Sequence, residues 1–396
     1  MTQLLSGLKV LDLTRLFPGP LCTMIMADYG ADVIKVEDIW KGDAMRYLGP
    51  PGKDGSSFFR QLNRNKKSIS LNMKTDEGID IIKKIAGQSD ILLEGFRPGV
   101  MKRLGLDYEE IKKINPKLVY ASISGYGQDG PYAHKAGHDI NYTALTGFLD
   151  TSRREGSAPE VSAMQAADIG GGALMALSGI MMALYNRERT GVGEYIDIAM
   201  ADGLMPWMVY ASSYHFDGFP VPRGDVAELT GAYACYNIYE TSDKRYISLG
   251  AVEQEFWERF IKFSGQEEWL DKQYNISEQE TLKKEIAAFF GQKTQKEWID
   301  LLAEEDFCCD PVLAIDEVND NIHMNHRQFF IDVAEREGEA NFTKQVGFPL
   351  RFGSHNGKIR NSAPGLGDNS AEILSDHGYN ENMIKSLSEK GIIKIS

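Results

Sequence analysis

The chain is expected to be an α/β protein, with a mostly parallel sheet covered by helices and then a smaller α+β block. Three observations carry that expectation. The first third alternates short β-branched runs with amphipathic helical ones, a long apolar helical stretch then leads into a further strand, and beyond residue 230 a second set of strands and helices begins. Strands that alternate with helices at this spacing form βαβ units, whose crossovers leave neighbouring strands parallel.

Taken in order, residues 10–13 read as the first strand, 21–29 as a helix and 32–36 as the second strand. Strands follow over 68–71, 90–93 and 118–122, with helices over 76–86 and 108–114 between them, each assigned from the period of its apolar residues. A long helix starts at Asp168 and is followed by a strand over 194–198. The apolar part of that helix, 170–185, falls short of the roughly 20 residues that a membrane span requires and is expected to be buried. Residues 200–221 are aromatic and Met-rich. Strands over 233–239 and 246–249 and helices over 255–263, 280–290 and 295–304 build the second block, and the tail runs through turns at 347–352 and 364–368 to a final helix over 370–374. The expected division is a large domain over 1–199, a linker over 200–230, a small α+β domain over 231–325 and a return to the large domain over 326–396.

At 396 residues the chain is long enough for two domains, and its 42% hydrophobic and 25% charged residues are ordinary for a soluble globular protein. A net charge of −14 argues against nucleic acid or an anionic membrane as partner, and any phosphate-bearing ligand needs a local basic pocket. The four cysteines, Cys22, Cys235, Cys308 and Cys309, form no CxxC pair, so neither a zinc site nor a disulfide framework is expected. Residues 1–13 lack a basic segment followed by an apolar one, so no export signal is read there and a cytoplasmic location is expected.

Two short segments carry the chemistry: Gly137, His138, Asp139, Ile140, Asn141, Tyr142, and the run over 167–172 that contains Asp168 and three glycines. Histidine titrates near neutrality, and a carboxyl reaches that range when partly desolvated. His138 with Asp168 therefore suits proton transfer on either side of a carbon next to a carbonyl, with helix-start N–H groups near Asp168 to hold the enolate oxygen. Asp168 could instead attack an acyl group as a nucleophile. Taken alone, Asp168 also fits a helix cap, His138 a hydrogen-bonded loop histidine, and Glu253 the start of a helix. Residues 125–130 match GxGxxG, but Pro131 denies them the following helix, so they are read as a turn. The spacing of His134 and His138 is that of helical metal ligands, yet the glycines and proline around them argue against a helix, and no metal site is assigned. His323 and His326 are expected to face solvent. Arg64, Lys66, Lys67 and Lys74 surround one strand and Arg97 and Arg103 follow another, so the two groups could jointly hold phosphates along one crevice.

Together with the residues over 10–13, Pro18, Gly19 and Pro20, the run over 30–37 and that over 94–99, these segments resemble the family III CoA-transferase superfamily (CaiB/BaiF type) along nearly the whole chain. Residues 137–142, 167–172 and 250–253 look like its α-methylacyl-CoA racemase branch; 42–46, 63–66 and 363–367 look more like its transferase members. The resemblance implies a large Rossmann-like CoA-binding domain and a small α+β domain in an interlocked homodimer, an acyl-CoA substrate, and no cofactor beyond the coenzyme A carried by that substrate. It implies His138 and Asp168 as catalytic acid-bases with Glu253 as a supporting carboxylate, and CoA contacts at Leu71, Asn72, Met73, Lys74, Gly95, Phe96, Arg97, Arg103, Gly137, Asp139, Ile140, Asn141 and Tyr142. The thioester oxygen is expected at the helix start by Asp168. Asp38 stands where a racemase commonly has arginine, so Arg46 or Arg60 is expected to replace that adenine-side contact. The glycine-rich loop of formyl-CoA-type transferases is missing between Arg223 and Tyr233. The racemase reading exchanges the α-proton of a 2-methyl-branched acyl-CoA; the alternative is CoA transfer through an aspartyl-CoA intermediate at Asp168. The acyl pocket is expected around Trp207, Met208, Tyr210 and Tyr214.

Overall fold

Six parallel strands form the main sheet of the computed structural model, which describes residues 3–52, 55–335 and 341–395. They are β1 (Lys9–Leu13), β2 (Asp32–Asp38), β3 (Lys66–Leu71), β4 (Ile91–Glu94), β5 (Val119–Ser124) and β6 (Tyr195–Ala199), in the order β3-β2-β1-β4-β5-β6. Every residue of β4 and β5 is buried, as expected for strands covered on both faces. After β3 the chain returns across the sheet and lays β4 against the other side of β1. The strand order therefore reverses between β1 and β4, and a crevice opens there at the carboxyl ends of the strands.

The helices show why the sequence was readable. In Asp76–Ala86, Thr75 caps the start by accepting the N–H of Gly78, Asp76 and Glu77 sit in the first turn, and Lys83 and Lys84 sit in the last, each sign matching the helix dipole. Ile81, Ile82 and Ile85 form its buried face, each worth about 1.5–3 kcal/mol of burial. Thr75→Ala would remove the cap at a cost of about 1 kcal/mol.

The helix that follows Ala166 is longer than its apolar stretch suggested. Ala167–Leu174 is wound as a π-helix and continues without a break into the α-helix Met175–Thr190. The 24 residues, with a mean hydropathy of 1.5 in the most apolar window, are long and apolar enough to cross a membrane by length and composition. In the fold the helix packs on β5, β6 and the helix Pro18–Asp28. The polar residues that follow the apolar stretch continue the helix to Thr190, and Arg187 pairs with Asp90 at 2.9 Å.

The chain divides into two compact units. The first comprises the residues through Thr146, Ser162–Pro206 and the segment from His323 onward; the second comprises Gly147–Val161 and Trp207–Ile322. These divisions fall at other points than those read from the sequence, and residues 200–230 carry the helices Met200–Leu204 and Val209–Phe216. The second unit holds an antiparallel sheet, β7 (Tyr236–Glu240), β8 (Tyr246–Gly250) and β9 (Cys309–Pro311), with helices Gln254–Ser264, Gln279–Phe290 and Gln295–Leu302 around a core that includes Trp257, Phe260, Phe290 and Trp298. In the first unit the tail adds the hairpin β10 (Phe330–Ala334) and β11 (Phe342–Val346), the helix Ser370–Asp376 and a helix the sequence reading did not include, Glu381–Glu389. Ile393 then pairs with Leu71 at the end of β3.

Candidate active site

A cavity of about 320 Å³ lies at the carboxyl ends of β1, β4 and β5, where the strand order reverses. The loop after β1 contributes Thr14, Arg15 and Leu16, the loop after β4 contributes Gly95, Phe96 and Arg97, and the loop after β5 contributes Ser124, Tyr126 and Lys135. His138, Tyr142 and Asp168 complete the wall. The imidazole and the carboxyl singled out in the sequence thus line one cavity.

His138 immediately precedes the helix Asp139–Leu145. Its backbone N–H donates to Oδ1 of Asn141 at 3.0 Å, which fixes the entry of the chain and commits Asn141 to the helix start. Tyr142 is buried, donates its hydroxyl to the carbonyl of Gly137 at 2.7 Å, and meets Tyr126 edge-to-face with ring centroids 5.0 Å apart. Its ring fits only because residues 125 and 137 are glycines: a Cβ at Gly125 would fall 2.4 Å, and one at Gly137 2.7 Å, from Cε1 of Tyr142. The residues over 125–130 form a turn and no helix, as expected from Pro131.

Asp168 sits in the first turn of the π-helix, where its side chain makes no cap. Asp139 holds that helix start from 28 positions earlier: its Oδ1 accepts the backbone N–H of Ala167 at 2.7 Å and of Asp168 at 3.0 Å. This corrects one expectation. The N–H groups assigned to a thioester oxygen are engaged within the fold, and the carboxylate of Asp139, expected at CoA, is the group that engages them. Burial pushes the Asp168 carboxyl up, the negative charge of Asp139 adds to the effect, and it reaches about 7. Gly171 sets how closely this turn packs, since a Cβ there would lie 2.2 Å from the carbonyl oxygen of Met200.

Several residues expected at the ligand are not among those lining this cavity. Arg64 and Lys66 are fully buried and paired with Asp28 at 2.7 Å and Asp12 at 3.2 Å, so they hold the interior together and are not available for phosphates. Lys67 pairs with Glu372 at 2.9 Å. The Leu71 side chain belongs to the core, the N–H of Asn72 donates to the carbonyl of Ile392, and Met73 packs against the same core. Lys74 and Arg103 are exposed and are not among the residues lining the cavity. Ile140 is exposed. Arg46 is bound by Glu37 through two nitrogens and lies over the ring of Phe59, so it cannot replace the arginine missing at Asp38; Arg60 donates to the carbonyl of Gly55. Glu253 belongs to the second unit, exposed at the start of the helix Gln254–Ser264. Trp207, Met208, Tyr210 and Tyr214 are also in the second unit, and the hydroxyls of Tyr210 and Tyr214 both donate to Glu228. No group of three or more metal-ligating side chains occurs among the described residues.

Arg15, Tyr126 and Lys135 were missed as cavity residues. The one signal for Arg15 was its position, two residues past the end of the first strand. Leu16 beside it has φ 66, a left-handed conformation rare for a branched side chain.

The family model described as CoA-transferase family III matches residues 5–370. The chain belongs to CoA-transferase family III. It is 34% identical to the alpha-methylacyl-CoA racemase of Mus musculus, over 99% of this chain and 98% of that protein. It is 30% identical to the succinyl-CoA:glutarate CoA-transferase of Mus musculus, over 98% and 90%. Among solved structures, a CAIB/BAIF family protein from Brucella suis superposes with a TM-score of 0.84 at 28% identity, covering 95% of this chain and all of that one (100%). Full-length relatives named for racemisation and for transfer leave the reaction to be argued from the residues.

Proposed function

We propose that this family III enzyme is an α-methylacyl-CoA racemase, with His138 and Asp168 as its two acid-bases. The observation that carries the reading is the pairing, in one cavity, of an imidazole with a carboxyl raised to about 7. A carboxyl raised to that range can give or take a proton at neutral pH, and an imidazole is the side chain suited to the complementary transfer. One removes the α-proton, the C–H electron pair moves into the thioester enolate, and the other group protonates the opposite face. The enzyme ends with its proton exchanged between the two groups, and reverse turnover or solvent restores it. The step is redox-neutral, and coenzyme A enters only as part of the substrate.

The enolate oxygen needs a donor, and the N–H groups of Ala167 and Asp168 are engaged by Asp139. Tyr126, whose buried hydroxyl has no hydrogen-bond partner among the described residues and which lines the cavity, is the donor this reading assigns. Arg97 and Lys135 are the cavity cations suited to the anionic CoA moiety, with Lys74 and Arg103 beyond. Assembly as an interlocked homodimer, with Glu253 as a supporting carboxylate, belongs to the same reading.

The likeness to a CoA-transferase supports a second reading, in which Asp168 attacks the thioester. Incubation of single-enantiomer 2-methylacyl-CoA thioesters in deuterium oxide separates the two. Racemisation predicts inversion with deuterium at the α-carbon, reduced by about 10²–10⁴-fold in His138→Ala. Transfer of CoA between acids with a hydroxylamine-sensitive adduct on Asp168, and no α-exchange, would establish the transferase instead.

A further inference from the structure

The cavity contains a cation that the proton-transfer chemistry does not use. Arg15 makes no hydrogen bond or ion pair among the described residues, and its guanidinium lies 4.8 Å from the ring centroid of Phe96. The chain on either side of it is fixed from below. The Thr14 N–H donates to Oδ1 of Asp12 at 2.9 Å, and the Thr14 carbonyl accepts from Nζ of Lys35 at 3.0 Å. The Leu16 N–H donates to Oδ1 of Asp43 at 3.1 Å, and Asp43 is itself paired with Lys35 at 2.9 Å. Two fully buried carboxylates and a buried ammonium thus hold the strained Leu16 and aim its neighbour.

The helix that follows this loop packs closely on the one that carries Asp168: a Cβ on Gly172 would meet Cβ of Pro18 at 2.9 Å. Arg15 lines the same cavity as His138 and Asp168, stacked on Phe96 of the loop after β4, while Arg97 and Lys135 enter from the loops after β4 and β5. A guanidinium with no ion pair among the described residues, exposed in the cavity wall and stacked on an aromatic ring, is suited to a planar anion. We propose that Arg15 selects acyl groups that carry a second, terminal carboxylate, so that the preferred substrates are branched dicarboxylic acyl-CoA thioesters. In a chain with net charge −14, such an acyl group needs a dedicated cation. This inference rests on the reading of the cavity as an acyl-CoA site and adds the class of acyl group.

The test measures binding, so that it does not depend on which reaction follows. Calorimetric titration compares 2-methylpentanoyl-CoA with its counterpart bearing a carboxylate in place of the terminal methyl group, on the full-length protein and on Arg15→Gln and Arg15→Lys. The expected result is tighter binding of the carboxylate thioester on the order of 10- to 100-fold, abolished by Arg15→Gln and partly retained by Arg15→Lys. Equal binding of the two thioesters to the unaltered protein would overturn the assignment. So would an equal loss for both in Arg15→Gln, which would mean that Arg15 contacts the CoA phosphates. Failure of both thioesters to bind would remove the acyl-CoA reading of the cavity itself, whereas binding with the expected preference but without α-exchange would leave Arg15 assigned and refute only the racemase.

Discussion

Asp12 on β1 and Asp168 at the cavity, two carboxylates of one unit, respond to burial in opposite ways. For Asp12 burial alone would raise the carboxyl, but the ammonium groups of Lys66 and Lys35 and the hydroxyls of Thr14 and Thr23 outweigh it and bring it down to about 2. Asp168 has no ion pair among the described residues, burial and the charge of another carboxylate, Asp139, act on it, and it rises to about 7. Depth therefore does not set the charge; the partners that share the depth do. The interior beneath the loop after β1 is built from ions that stay ionised, and the cavity above it keeps one carboxyl poised to change state.

The largest test of this contrast removes a cation from the paired region. Lys35→Met leaves Asp12 with Lys66 alone and Asp43 with no ammonium, and frees the carbonyl of Thr14. An uncompensated buried charge costs about 3–5 kcal/mol, so the urea midpoint should fall sharply. A loss below about 1 kcal/mol would mean that these pairs do not govern the region's stability.

The second test neutralises the unpaired carboxyl and has the opposite sign. The unfolded chain loses the Asp168 proton near 3.8 and the folded chain near 7, so between those values the folded state binds more protons and stability falls as pH rises. Asp168→Asn does not titrate. Its advantage should be absent near pH 4, grow through that window and level off above pH 7 at about 1–3 kcal/mol, while α-proton exchange is lost. Thermal unfolding at pH 4 and pH 8 checks it; a variant less stable at pH 8 would show that the carboxylate is held by partners after all.

The same contrast explains what the sequence disclosed. The parallel sheet was legible because its strands are buried on both faces and alternate with helices whose caps lie within three or four residues, as Thr75 does for Gly78. Arg64 and Lys66 looked like a surface cluster because their counter-ions, Asp28 and Asp12, lie 36 and 54 positions away, and no local pattern announces such a pairing. His138 and Asp168 stood out through residue type and flanking glycines. The carboxylate that engages the Asp168 helix start was named from resemblance alone and given a different task, because its bonds to Ala167 and Asp168 form only when two separate helices meet. Arg15 was invisible for the same reason: its setting depends on Phe96, which the fold brings from another strand.

The smallest expected effect sharpens the comparison most. Asp139 both accepts the N–H groups of Ala167 and Asp168 and raises the neighbouring carboxyl by its charge, and Asp139→Asn separates these roles because the amide oxygen still accepts hydrogen bonds while the charge is gone. Loss of a nearby negative charge favours the ionised form of Asp168, so the limb of the pH–rate profile that reports it should move to lower pH. Burial, the larger cause, remains, and the shift should therefore be on the order of half a pH unit. Asp139→Ala should add a stability loss of about 1 kcal/mol as the first turn loses its acceptor. If the limb stayed in place in Asp139→Asn while Asp139→Ala moved it, position and not charge would be what Asp139 gives to Asp168.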